Sequence, residues 1–249
     1  MSNEEGVLSR TRLLLGTEAI ESIRQKRIII FGVGGVGSWC AEGLVRSGIR
    51  HLTLVDFDCV CESNINRQLM ATTDTVGEVK VDALKAHLML INPSADITAV
   101  RQRFTADTLA DFRLSDFDYI IDAIDSLDDK ALLISEACKT KAKLFSSMGA
   151  ARKLDPTKIQ VAEFWKVRGC PLAKALRNRF KRNGVRPARK FSCVFSEEVL
   201  SNRGAADEER ANGSLVHITA IFGFTISGLI LKHIADQCDN HPCEHHSEQ

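Results

Sequence analysis

Between residues 26 and 125 the chain repeats one alternation, a short β-branched run followed by a helical pattern, and this constrains the fold more than anything else in its 249 residues. The runs at 26–32 (KRIIIFG) and 52–58 (LTLVDFD) are continuously apolar, as strands covered on both faces are. The run at 97–104 (ITAVRQRF) alternates more, which suits a sheet edge, and 118–125 (DYIIDAID) returns to the buried type. Helical patterns fill 37–47, 78–90 and 127–141, the last preceded by the capping candidates Asp125 and Ser126. Units of this spacing need right-handed crossovers, so the expectation is an α/β fold with a doubly wound, mostly parallel sheet. A fifth strand is predicted at 144–150 (LFSSMGA).

After residue 151 the texture changes to a strand at 158–164, a basic helix at 170–180 and a strand at 191–196. Residues 197–213 are polar with no apolar period and are expected to form a mobile loop. The apolar stretch 215–231 is short for a membrane span and holds His217, Thr219, Thr225, Ser227 and two glycines, so it reads as a buried or interface helix. Eight cysteines without scaffold spacing and an acidic N-terminus without an apolar core point to a reducing, cytoplasmic setting.

The first strand runs into Gly32-Val33-Gly34-Gly35-Val36-Gly37, which opens a helix. Glycines there let backbone N–H groups approach a di- or triphosphate, and the helix N-terminus favours its charge. Asp56 closes the next strand 19 residues past Gly37, in place to bind a ribose. An NAD-dependent oxidoreductase reads the same up to this point. The next segments of the chain depart from that pattern: Ser63-Asn64-Ile65-Asn66-Arg67-Gln68, then Gly77-Glu78-Val79-Lys80, then Asp122-Ala123-Ile124-Asp125. An Arg and a Lys of this kind neutralise phosphate charge, and a carboxylate beside the phosphates holds Mg²⁺. Singly, Arg67 and Lys80 read equally well as solvated helix charges, Asp125 as an N-cap and Asp58 as a turn residue. Their order after a glycine loop favours one shared site.

In this order the motifs resemble the E1-like adenylating superfamily, the relatives of ubiquitin-activating enzymes that include bacterial molybdopterin- and thiamine-pathway adenylyltransferases. The resemblance spans residues 10–165. It implies a Rossmann-like E1 adenylation domain over 10–150, a smaller basic extension over 151–237 that binds substrate and supports a dimer, and a flexible tail over 238–249. ATP and Mg²⁺ are the implied cofactors. Gly32, Gly34, Gly35, Gly37, Asp56, Asp58, Asn64 and Gln68 would bind the nucleotide and Arg67 and Lys80 its triphosphate. Asp125 would hold Mg²⁺ and orient the α-phosphate for attack. Members are homodimers in which an N-terminal Arg reaches the partner's phosphates. Arg12 in SRTRLLLG is the best match, with Arg10 as the fallback.

Adenylation gives a carboxylate AMP as its leaving group, so what matters is whose carboxylate it is. Sulfur-carrier activators of the superfamily hold a structural zinc in two C-x-x-C pairs, and no C-x-x-C occurs in this sequence. Cys59-Val60-Cys61 is too tight for such a pair, and the tail cluster Cys238, His241, Cys243, His245 and His246 reads as inert rather than as a metal site. The formal net charge of +1 conceals a partition: residues 151–190 carry 13 Lys and Arg against Asp155 and Glu163, a net +11, and the remainder is −10. Such clustering, interleaved with Trp165 and Phe180, suits an RNA backbone, with Lys174, Arg177, Arg179, Lys181, Arg182, Arg189 and Lys190 as contacts. A solvated helix face balanced by the acidic remainder is the plainer alternative.

The strings AIDS, DPTKIQV, CPLA and CVFSEE resemble the tRNA-acting branch of the superfamily over nearly the whole chain. That resemblance implies ATP-dependent dehydration of N6-threonylcarbamoyladenosine (t6A) at tRNA position 37 to its cyclic form. The substrate then supplies its own nucleophile, so no catalytic cysteine is needed. Cys170 and Cys193 read first as buried small hydrophobes, with a thioester or sulfur-relay role as the alternative, and a cysteine-desulfurase-associated sulfur-acceptor protein is left open as a further partner. Two other functions remain in play: an adenylyltransferase for a ubiquitin-like sulfur carrier, and a nucleotide-binding RNA adaptor without chemistry.

Overall fold

The computed structural model describes residues 4–204 and 212–240. Helices are α1 (Glu4–Val7), α2 (Ser9–Gln25), α3 (Gly37–Arg46), α4 (Lys80–Ile91), α5 (Leu127–Ala137), α6 (Pro171–Arg182) and α7 (Val216–Asn240). Strands are β1 (Arg27–Phe31), β2 (His51–Val55), β3 (Asp96–Val100), β4 (Tyr119–Asp122), β5 (Lys143–Ser147), β6 (Ile159–Glu163) and β7 (Ser192–Ser196). All seven form one sheet in the order β3-β2-β1-β4-β5-β7-β6, parallel except for β6 against β7. The run that alternates in sequence, β3, is an edge, as its pattern predicts. The 151–237 extension is continuous with the sheet, since β6 and β7 complete the far side of it.

Continuous apolarity in the central strands is explained by burial on both faces. Ile28 and Ile30 of β1 point into one core, shared by α2, α3, α4 and α7, while Ile29 and Phe31 point into a second, against α5 and α6. In the second core Phe31 meets Phe104 edge-on at 4.9 Å and Phe112 at 5.2 Å. Phe31 ends β1, and Phe104 and Phe112 follow β3 in the chain.

The apolar helix expected at 215–231 is α7. Its Ile218, Phe222, Ile226, Ile230 and Ile234, four residues apart in turn, are fully buried in the first core. It is the one helix among the described residues long and apolar enough to cross a membrane, and half of its most apolar stretch is buried inside the protein. Contact with α3 is close because Gly223 has no side chain: a Cβ there would lie 2.5 Å from Val36 O. This seats the start of α7 beside the glycine loop.

Two elements depart from expectation. The apolar periodicity assigns no element to residues 9–25, which form α2. Gly16 (φ +82) breaks its helical geometry, and the exposed Leu13 and Leu14 spoil the apolar period that Leu8, Ile20 and Ile23 would otherwise display. Residues 197–204 and 212–213 are irregular as expected, yet the first of them are not loose. Leu200 N–H donates to Arg152 O, and Lys153 Nζ donates to Ser196 O and Glu198 O. The Glu198 carboxylate accepts from Leu154 N–H and Asp155 N–H, which holds its pKa below the ordinary range. Residues 205–211, and the tail cluster apart from Cys238, lie outside the described residues.

Candidate active site

The strand order reverses between β1 and β4, and in open α/β sheets the crevice at such a switch point binds ligands. Here it opens into a cavity of about 650 Å³. The sequence builds its floor from a glycine that must turn sharply. Gly32 leaves β1 at φ +85 and passes so close to the loop after β4 that a Cβ would lie 2.7 Å from Ala123 O. Its N–H donates to Val55 O at 2.8 Å, which ties the loop to β2. Asp56, just past β2, is held by the loop it faces: one carboxylate oxygen accepts Val33 N–H at 2.9 Å and the other accepts Asp58 N–H at 3.0 Å.

Lys80 reaches the same cavity through a small antiparallel zip, in which Cys59 pairs with Val79, Val60 N–H donates to Glu78 O and Lys80 N–H donates to Asp58 O. Its Nζ lies 2.7 Å from Asp58 Oδ2 and its side chain is buried. Arg67 donates to Ser63 O and to Asn66 Oδ1, both at 2.8 Å, so its guanidinium is aimed before any anion arrives. Gln68 is buried beside it, and its Oε1 has no hydrogen-bond partner. A buried acceptor left unpaired at a cavity wall is what a ligand donor would satisfy. Asp125, exposed in the loop between β4 and α5, completes this half.

Thus Gly32, Gly34, Gly35, Asp56, Asp58, Arg67, Gln68, Lys80 and Asp125, scattered over 94 residues of sequence, line one cavity. Two expected residues do not. Gly37 packs against the carbonyl of Gly32 and lets α3 start there. Asn64 is buried with its side chain accepting Cys61 N–H at 3.2 Å, so it shapes the turn that presents Arg67. Arg12, expected at a partner's phosphates rather than its own, sits on α2.

Other lining residues carry no motif. Phe57, Arg103 and Asp129 close the nucleotide side, with Arg103 bonded to Asp129 at 2.8 Å and its guanidinium over the Phe57 ring at 5.5 Å. The opposite wall comes from Ser147 to Lys153, Pro171, Leu172, Val199, Asn212, Ser214 and Thr219. The only sequence signal for these is their place after strand C-termini or at helix starts. Arg152 in this wall adopts φ +61, fixed by Arg152 N–H to Gly213 O, by Leu200 N–H to Arg152 O and by Arg152 Nε to Leu200 O.

The basic stretch divides. Arg177 donates to Phe164 O and Val167 O, and Arg189 donates to the carbonyls of Ala137, at the end of α5, and of Lys141 and Ala142, in the turn that leads to β5. Arg179 pairs with Asp128 at 2.9 Å. Arg177 and Arg189 thereby hold the fold together, whereas Arg179 and Asp128 are both exposed. Lys174, Lys181, Arg182 and Lys190 are exposed, and Arg186 lies over Trp165 at 5.1 Å. Cys170 and Cys193 are buried, and burial pushes the Cys193 thiol well above its ordinary value, so it is no ready nucleophile.

The chain matches the ThiF family over residues 8–247. It is 40% identical over 190 residues to the tRNA threonylcarbamoyladenosine dehydratase of Bacillus subtilis (strain 168), covering 76% of this chain and 74% of that one. To the protein of the same name from Escherichia coli (strain K12) it is 37% identical over 243 residues, covering 89% and 91%. To the molybdopterin-synthase adenylyltransferase of Salmonella typhimurium it is 28% identical over 221 residues, covering 89% and 84%. The crystal structure of the E. coli tRNA N6-threonylcarbamoyladenosine dehydratase in complex with ATP matches with a TM-score of 0.88 at 36% identity, over 96% of this chain and 98% of that one.

Proposed function

The chain belongs to the ThiF family, and from that premise we propose that it is an ATP-dependent, adenylate-forming enzyme that dehydrates t6A in tRNA to cyclic t6A. The observation that carries this reading is whole-chain likeness to a t6A dehydratase solved with ATP, together with a cavity whose lining suits that nucleotide. Gly32 to Gly35 offer backbone approach to the phosphates, Arg67 and Lys80 supply cations, and the orphaned Gln68 Oε1 awaits a donor. Mg²⁺ fits the same site, because it is commonly held by one or two carboxylates plus substrate phosphates, and Asp125 would be the carboxylate from this chain. Bound there, the ion would neutralise charge on the triphosphate.

The chemistry asked of the chain is mostly positioning. The threonine carboxylate attacks the α-phosphate, pyrophosphate leaves, and the ureido group of the same nucleoside then displaces AMP as the ring closes and a proton is lost. One carboxylate oxygen departs with AMP, which accounts for the water. Arg67 and Lys80 lower the charge the carboxylate must approach, and the wall from Ser147 to Lys153 gives the modified nucleoside room beside the nucleotide. Lys174, Lys181, Arg182 and Lys190 are the exposed cations to which the tRNA backbone would be drawn; Arg177 and Arg189 are already committed to carbonyls. A homodimer is supported by Leu13 and Leu14, more than four-fifths exposed next to Arg12 on α2. A sulfur-acceptor partner rests on the resemblance alone.

Mass spectrometry of tRNA nucleosides at mild pH, after reaction with ATP, is expected to show t6A replaced by its cyclic form with stoichiometric AMP. AMP release stimulated by a carrier protein ending in Gly-Gly, but not by t6A-tRNA, would favour the sulfur-carrier adenylyltransferase instead.

A further inference from the structure

Behind the loop that carries Asp125 lies a pair of charges that adenylation and ring closure do not use. Lys130 Nζ and Asp122 Oδ2 are 2.9 Å apart, and both side chains are completely buried. Stability alone is a weak reason to keep such a pair, because desolvating two charges offsets their attraction and apolar replacements often do as well. Burial raises the pKa of Asp122, opposed by the Lys130 ammonium and the Ser146 hydroxyl, which donates to Asp122 Oδ2 at 2.6 Å.

The remaining bonds of the pair converge on one residue. Lys130 Nζ donates to Ile124 O at 2.9 Å, and Asp122 Oδ1 accepts Ile124 N–H at 3.2 Å. Both backbone groups of Ile124 are therefore gripped by the buried pair, and Ile124 immediately precedes Asp125. On the other side Gly32 closes on Ala123 O, and Ala123 N–H donates to Phe31 O at 2.8 Å. Lys130 also joins the loop through its own N–H, which donates to Ser126 O at 3.0 Å as α5 begins. The short connection from β4 to α5 is thus clamped between the glycine loop and an ion pair.

We propose that Lys130 and Asp122 are positioning residues for the adenylation step, fixing the Ile124 peptide so that the Asp125 carboxylate is presented to the α-phosphate in one orientation. This rests on the assignment of Asp125 to that step. A charge pair suits the task better than apolar packing because it bonds directly to the peptide groups, whereas packing restrains only the side chain.

Lys130→Met alone would strand a buried carboxylate and threaten folding, so the test uses the double variant Asp122→Asn/Lys130→Met, which removes both charges with little change of volume. Amide hydrogen exchange of the peptide holding residues 122–127 is expected to accelerate about tenfold or more while exchange in β1 and β2 stays unchanged. The kcat for conversion of t6A-tRNA is expected to fall at least roughly 30-fold, with KM for ATP within about threefold of wild type. Unaltered exchange at 122–127 would overturn the inference, as would accelerated exchange with kcat within threefold. A parallel loss of kcat, ATP affinity and protection throughout the sheet would reduce the pair to a fold-holding role and also overturn it. Wild-type enzyme inactive on t6A-tRNA would instead defeat the proposed function, and the clamp itself would then be decided by the exchange measurement.

Discussion

In the nucleotide half of the cavity, the charges recognised from sequence arrive where ligand chemistry needs them: Arg67, Lys80 and Asp125 stand on three separate segments and line one space. In the stretch 151–190 charges are far more numerous, and although most of them are exposed, several serve the fold. Arg177 and Arg189 cap carbonyls and Lys153 bridges Ser196 and Glu198, while the exposed Arg179 is paired with Asp128. Spacing within a motif therefore carries more information than charge density. A motif residue is placed by the strand or helix that precedes it, whereas a cation in a cluster goes to whichever acceptor the packing leaves open. Peptide carbonyls at helix ends are such acceptors, and guanidinium groups suit them.

The sharpest way to break this contrast is to separate turnover from RNA binding. Asp125→Ala is expected to lower AMP formation by about 10²–10³-fold while tRNA affinity, read by filter binding, stays within twofold. A matching loss of tRNA affinity would mean that the two regions do not work independently. The complementary change, Lys181→Glu with Arg182→Glu, is expected to weaken tRNA binding by roughly tenfold and to flatten the dependence of log K on log salt by about two contacts. ATP affinity should be untouched, and an unchanged salt slope would move the RNA path away from the end of α6. The mildest case is Arg189→Gln. It leaves carbonyls of Ala137, Lys141 and Ala142 short of a donor, at a cost of about 1–3 kcal/mol, seen as a lower melting temperature. The salt slope of tRNA binding should not change, and if it falls by a full contact Arg189 belongs to the RNA surface after all.

The β-α alternation was legible because strands buried on two faces must be apolar throughout, and β1 to β5 fall where those runs predict. Helix α2 was not, since its exposed Leu13 and Leu14 and the break at Gly16 erase the period that marks a one-sided helix. Glycine-loop and Asp56 chemistry was legible from local spacing. Phe57, Arg103 and Asp129 were not, because they share the cavity only after β3 and β4 have taken their places beside β2 and β1. Asn64 and Gly37 show the converse: both belong to the motifs, yet they serve the turns and leave the lining to their neighbours.

By itself the sequence determined the sheet, the phosphate loop and the set of charged residues available to a triphosphate, because each depends on short-range periodicity or on spacing within one strand-to-helix connection. Tertiary structure alone decided which cations face solvent and which hold carbonyls, and it placed a buried Lys130 and Asp122 around the Ile124 peptide. Those outcomes turn on distances between segments remote in sequence, and a hydrogen bond has no counterpart in the chain until packing brings its two ends within about 3 Å.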